Sequence, residues 1–136
     1  MLKFDLEAPF SNCVMKKKVL VVDDSALIRR QVAAALEGAG FETCQAVDGI
    51  DALEKLAESS DFILIVSDVN MPRMSGVDLL ERVRSLPNVA GIPFVILTSD
   101  GQAASIQRAR QLGVGGYLRK PFKPDMLLAA VHKLAS

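Results

Sequence analysis

Asp23, Asp24 and Asp68 each stand just past a run of aliphatic residues, where a buried strand should stop. Val19-Leu20-Val21-Val22 leads into the first two, and Phe62-Ile63-Leu64-Ile65-Val66-Ser67 leads into the third. A parallel sheet gathers the carboxyl ends of its strands along one edge, so residues far apart in the chain become neighbours there. Three carboxylates forced together repel, and at an effective dielectric near 20 each close pair costs roughly 4 kcal/mol. Such a cluster points to a hard divalent cation, or to a carboxylate whose pKa is raised for chemistry.

Two further polar residues end strand-like runs: Thr98 after Phe94-Val95-Ile96-Leu97, and Lys120 after the short segment around Gly116-Tyr117-Leu118. Singly, an acid at such a place is more often an N-cap, and a Thr or Lys is ordinary surface chemistry. Together, at neighbouring strand ends, they describe a site. Three carboxylates and one ammonium sum to −2, which Mg²⁺ neutralises. Converting one carboxylate to an acyl phosphate then leaves about −1, a modest excess for hydrogen bonds to absorb. Mg²⁺ favours few carboxylates, retained waters and phosphate oxygens, and a carboxylate can attack phosphorus to form an aspartyl phosphate. The Thr98 hydroxyl and Lys120 ammonium suit the transferred phosphoryl oxygens.

The elements that must position these residues alternate from Lys18 onward. Asp24 or Ser25 starts a first helix burying Ile28, Val32 and Leu36, ended by Gly38 and Gly40. Phe41 to Ala46 alternates apolar and polar residues, the pattern of an edge strand with one solvated face. After Asp48-Gly49 a second helix buries Ala52, Leu53, Leu56 and Ala57; a third begins near Gly76 and buries Val77, Leu80 and Val83. Residues 87–93 form a connecting loop. A fourth helix covers about Ala103 to Leu112 and stops at Gly113, and a last helix buries Leu127, Ala130, Val131 and Leu134.

Five strands alternating with five helices predict a doubly wound (βα)5 fold, a parallel sheet covered on both faces. The flavodoxin-like order 2-1-3-4-5 puts the alternating second strand on an edge and makes the strands ending in Asp23/Asp24, Asp68, Thr98 and Lys120 contiguous. Residues 1–16 lack periodicity and contain Pro9, Ser11 and Asn12, so a mobile extension is expected there, ahead of a single domain over 17–136.

Composition narrows the classes. The chain has 136 residues, half of them hydrophobic, and its 16 basic and 16 acidic side chains cancel. That profile fits a compact domain and offers no general attraction to nucleic acid. No apolar stretch approaches the roughly 20 residues that span a bilayer, and the charged N-terminus does not read as a secretory signal. Cys13 and Cys44 have no metal-ligand spacing and read as inert thiols of a reducing compartment, so a cytoplasmic location is expected.

Val21-Val22-Asp23-Asp24-Ser25, Ser67-Asp68-Val69-Asn70-Met71-Pro72-Arg73-Met74-Ser75-Gly76, Leu97-Thr98-Ser99 and Tyr117-Leu118-Arg119-Lys120-Pro121-Phe122 occur in order. Together they resemble the receiver domains of bacterial two-component response regulators, most of all the single-domain CheY type, over about Lys18 to Leu134. The resemblance implies that Asp68 accepts a phosphoryl group from a sensor histidine kinase. It implies Mg²⁺ held by Asp24, Asp68 and the main-chain carbonyl of Asn70, with Asp23 acting mainly through water. Lys120, followed by a cis peptide to Pro121, would contact the phosphoryl group. Thr98 would move toward it and Tyr117 would turn inward, reshaping a face made of the fourth helix, fifth strand and fifth helix. By the same resemblance Ser99, which is small, would leave access to Asp68, and Asn70 and Asp100, two residues past the acceptor and Thr98, would border the path of a hydrolytic water. Ser67 is more polar than the apolar residue expected before the acceptor.

The implied protein is a switch without its own output domain, which signals by docking to a downstream partner such as a flagellar motor switch or another chemotaxis component. A monomer is the default, with dimerisation through the switch face as the alternative. An aspartyl-nucleophile phosphatase is disfavoured because Asp68-Val69-Asn70 lacks a second acid two residues on. A degenerate scaffold is disfavoured by the intact acidic, hydroxyl and amine set. Nucleotide hydrolysis lacks its phosphate-binding loop. His132 reads as partly exposed, and Met71, Met74 and Met126 as packing residues.

Overall fold

A computed structural model describes residues 17–59, 61–99 and 102–135. The extension at 1–16, with Cys13, and Asp100 lie outside the described residues. The elements run β1 (Lys18–Val22), α1 (Ala26–Gly38), β2 (Glu42–Ala46), α2 (Gly49–Glu58), β3 (Phe62–Asp68), α3 (Gly76–Ser85), β4 (Phe94–Thr98), α4 (Ala103–Gln111), β5 (Gly116–Arg119) and α5 (Pro124–Ala135). All strand pairings are parallel, in the order β2-β1-β3-β4-β5. The doubly wound topology expected from the strand patterns is the one observed.

The strand sequences explain the sheet. β1 and β4 are buried almost end to end because helices cover both faces, whereas β2 keeps exposed positions at the edge. Alternate β-strand side chains feed two cores. Leu20, Ile65, Phe94 and Ile96 pack with α2, α3 and α4 residues such as Leu56, Leu80 and Ala109. Val19, Val21, Leu64 and Val95 pack with Val32 and Leu36 of α1 and Leu127 and Val131 of α5.

Helix starts follow their caps. Ser25 accepts from the Ile28 amide, Asp48 from the Asp51 amide and Ser75 from the Asp78 amide. Gly40 and Gly113, at φ 97° and 81°, take the left-handed turns after α1 and α4 that glycine tolerates best. Gly38, expected as a stop, lies within the last turn of α1.

Helical spacing overstated burial in places. Ala57 is exposed, and Ile28, Leu53, Ala130 and Leu134 are only half-buried, because spacing marks an arc and not the neighbour that covers it. Met126 is 54% exposed, so its reading as a packing residue is corrected. Met71 and Met74 do pack against the core. His132 is exposed with its ring 5.8 Å from that of Phe41, and Cys44 is a half-buried free thiol. No described helix is long and apolar enough to cross a membrane.

Candidate functional site

The register brings the predicted residues to one edge. Val22 pairs with Ser67, Asp68 with Leu97, and Thr98 with Arg119, so the ends of β1, β3, β4 and β5 lie side by side. One carboxylate oxygen from each of Asp23, Asp24 and Asp68 lies within 4.8 Å of the others, with Asp24 exposed and the other two buried. Lys120, the residue after β5, closes the site: its Nζ donates to Asp23 Oδ2 at 3.1 Å and sits 3.1 Å from Asp68 Oδ1. The Lys120–Pro121 peptide is cis, as expected.

Asp23 is fixed on several sides. Its Oδ1 accepts from the Ser25 amide at 2.9 Å, and its main-chain carbonyl accepts from Arg29 Nη1 at 2.7 Å. Asp68 is positioned through its backbone. The Val69 amide donates to the Leu97 carbonyl at 3.1 Å, and the Gly76 amide donates to the Val69 carbonyl at 2.8 Å. Gly76 touches Asp68 so closely that a Cβ there would lie 2.0 Å from the Asp68 carbonyl oxygen. Ser67, unexpectedly polar, is fully buried and satisfied locally, its hydroxyl donating to the Asp68 carbonyl at 3.0 Å.

The electrostatics match the crowding. Burial, and then the neighbouring charge of Asp23, hold the Asp68 carboxyl above its ordinary range despite Lys120. Burial opposes the charge on Lys120, but the hydrogen bond to Asp23 and the two carboxylate charges outweigh it and raise the ammonium's pKa. The pair therefore keeps a cation against a carboxylate that gains from further positive charge.

Thr98 and Tyr117 hydrogen-bond to partners other than the acids. Thr98 is buried, and its hydroxyl donates to Gln102 Oε1 at 2.7 Å, with the Ser99 carbonyl a longer second acceptor at 3.2 Å. Tyr117 is 43% exposed and its hydroxyl accepts from Arg110 Nη2 at 3.0 Å. Ser99 and Asn70 are exposed beside the site. Sequence reasoning missed Gln102 and Arg110, and also Arg73, which pairs with Asp48 across the edge. Asp48 was legible as a helix start, but nothing in its local pattern announced a cationic partner 25 positions away.

A five-stranded parallel sheet in this order, with three carboxylates and a lysine at its carboxyl edge, has the architecture of a receiver-type fold. Residues 19–132 match the family described as the response regulator receiver domain. The chain is 40% identical over 111 residues to the chemotaxis protein CheY1 of Helicobacter pylori, covering 81% of this chain and 90% of that protein. It is 40% identical over 118 residues to a probable chemotaxis protein CheY of Rhizobium etli, covering 86% and 91%. Among solved structures, the chemotaxis response regulator CheY4 of Vibrio cholerae superposes with a TM-score of 0.82 at 38% identity, covering 88% of this chain and 99% of that one. The chain belongs to the response regulator receiver domain family, and it is a two-component signalling switch of the CheY-like kind.

Proposed function

We propose that Asp68 is the phosphoacceptor of this switch. In the proposed step an Asp68 oxygen attacks the phosphorus of a phosphohistidine on a sensor histidine kinase. The phosphorus–nitrogen bond breaks, and the imidazole leaves and takes up a proton. The observation that carries this reading is the contact of Lys120 Nζ with both Asp23 and Asp68, with Asp24 beside them.

The donor set fits Mg²⁺: hard oxygens, few in number, with one exposed carboxylate that leaves room for water and phosphate oxygens. Asp23, Asp24, Asp68 and the main-chain carbonyl of Asn70 would hold the ion. When bound, it supplies positive charge to the transferring phosphoryl oxygens. Lys120 contacts a phosphoryl oxygen through the ammonium that now bridges the acids. The Thr98 hydroxyl turns to another, and Tyr117 moves inward to follow it. Ser99 leaves the approach open, and Pro121 sets the direction of Lys120.

The only catalysis in this reading is the switch's own phosphorylation and dephosphorylation. The output is the α4-β5-α5 face, offered to a downstream protein such as a motor switch or another chemotaxis component. The chemotaxis assignment draws support from the similarity to the chemotaxis proteins of Helicobacter pylori and Rhizobium etli. Residues 17–136 act as the receiver unit in the cytoplasm, as a monomer or as a dimer through that face, and residues 1–16 are an extension. Incubation with Mg²⁺ and a small acyl-phosphate donor tests the acceptor: wild type gains one phosphoryl group and Asp68→Asn gains none. Equal labelling of both refutes the assignment.

A further inference from the structure

The two switch residues do not merely rest in their present positions: both are bonded to side chains of α4. Gln102, at the N-cap position of that helix, uses Oε1 to accept from the Thr98 hydroxyl at 2.7 Å and from the Ser99 amide at 2.7 Å. Arg110, farther along the same helix, donates to the Tyr117 hydroxyl at 3.0 Å, and its guanidinium carbon lies 5.4 Å from the centre of the Tyr117 ring. The far end of α4 is tied to α3 by Arg84, which donates to the Leu112 and Gly113 carbonyls at 3.1 Å each.

We propose that Gln102 and Arg110 form a double latch that holds the switch off, and that their strength sets how readily phosphorylation turns it on. The proposal rests on the assignment of Asp68, Thr98 and Tyr117 above. A hydroxyl has one proton to donate; that of Thr98 faces Gln102 Oε1 at 2.7 Å, with the Ser99 carbonyl farther away at 3.2 Å, and it cannot serve a phosphoryl oxygen while it serves Gln102. Tyr117 cannot turn inward while its hydroxyl and ring stay with Arg110. Both contacts belong to one of two states, and a contact made in one state alone shifts the equilibrium by its own free energy. The apparent affinity of an activating ligand scales with the fraction of protein already competent. Gln102 and Arg110 are thus positioning residues: they touch the switch groups and not the reacting atoms.

The chain supplies its own reporter. Tyr117 is the single tyrosine and there is no tryptophan, so intrinsic fluorescence reads its environment alone. Beryllofluoride with Mg²⁺, a phosphoryl mimic, is titrated into wild type, Gln102→Ala, Arg110→Ala and Arg110→Lys, with Tyr117 emission and acrylamide quenching followed throughout. Loss of the Gln102 hydrogen bonds should tighten the titration midpoint about threefold to tenfold. Loss of the exposed Arg110 contact should tighten it about twofold to fivefold, with the lysine variant between, because it keeps the cation but not the planar donor. Gln102→Ala should also reduce quenching of Tyr117 in the free protein, although it does not touch that ring. Gln102→Glu offers a stronger acceptor to Thr98 and Ser99, and should increase that quenching.

Wild type that responds while all four variants share its midpoint and quenching overturns the latch and leaves the phosphoacceptor assignment standing. Wild type that shows no response to beryllofluoride overturns the assignment and the latch together.

Discussion

Arg73 grips Asp48 with two donors, Nε at 2.7 Å from Oδ2 and Nη2 at 3.0 Å from Oδ1. Arg73 lies in the loop after Asp68 and adopts a left-handed backbone at φ 68°, and Asp48 caps α2. Beside this pair a Cβ on Gly49 would meet Met74 at 2.7 Å, so the same loop is seated on the start of α2 by both charge and shape. The loop that carries Asn70 is thereby fixed to a part of the fold that holds no acid of the site. Arg73→Ala should slow phosphorylation of Asp68 several-fold while leaving the fold intact. Asp48→Ala should cost more stability, by about 1 kcal/mol, because it also removes the helix cap.

That pair has a defined pH signature. The Arg73 hydrogen bond holds the Asp48 carboxyl below its ordinary value. A depressed folded pKa contributes stability that is present above the ordinary carboxylate value and lost as pH falls through the depressed one. The difference in thermal midpoint between wild type and Arg73→Ala should therefore be full at neutral pH and close in acid. A difference that persists unchanged at low pH would contradict the pairing.

Asp68 has the opposite sign. Its folded pKa is raised by burial and by Asp23, so the stability linked to it is greatest below the ordinary carboxylate value and is lost as pH rises through the raised one. Asp68→Asn should accordingly melt at a higher temperature than wild type at neutral pH without divalent ions. The advantage should vanish below the ordinary carboxylate range. Calorimetry across pH reads both limbs.

Mg²⁺ should reverse that cost. An ion that binds only the folded chain at about a hundred times its dissociation constant stabilises it by roughly 2.7 kcal/mol, on the order of 10 °C for a domain of this size. Asp24 is exposed, so Asp24→Asn should barely change the melting temperature without Mg²⁺ yet remove most of the gain with it. A variant that keeps the full gain excludes Asp24 as a ligand.

Gly76→Ala probes the backbone that holds Asp68. A Cβ 2.0 Å from the Asp68 carbonyl oxygen and 2.9 Å from its carbon meets main chain, which cannot swing aside as a side chain can. The start of α3 must move off the end of β3, at a cost of roughly 1–3 kcal/mol. Phosphorylation of Asp68 should fall with it, and the melting temperature reads the stability loss directly.

The architecture was legible because uninterrupted apolar runs, one alternating strand and a polar residue at each of four strand ends leave few ways to order a parallel sheet. Asp23, Asp24, Asp68 and Lys120 converge for the same reason, since strand ends are fixed by hydrogen-bond register. The pairings Arg73–Asp48, Gln102–Thr98 and Arg110–Tyr117 were not legible. Each joins a loop or helix surface to another element, and the reach of a long side chain follows no periodicity. The exposure of Met126 and Ala57 was hidden likewise: helical spacing names a face, and what covers that face is decided by the packing of other elements.

The most direct test of the central assignment is intact-mass and peptide mapping of the protein after incubation with Mg²⁺ and an acyl-phosphate donor. The geometry predicts a single added phosphoryl group on the peptide containing Asp68, lost when Mg²⁺ is chelated and absent from Asp68→Asn. A phosphoryl group that persists in that variant, or that maps to a peptide without Asp68, would contradict it.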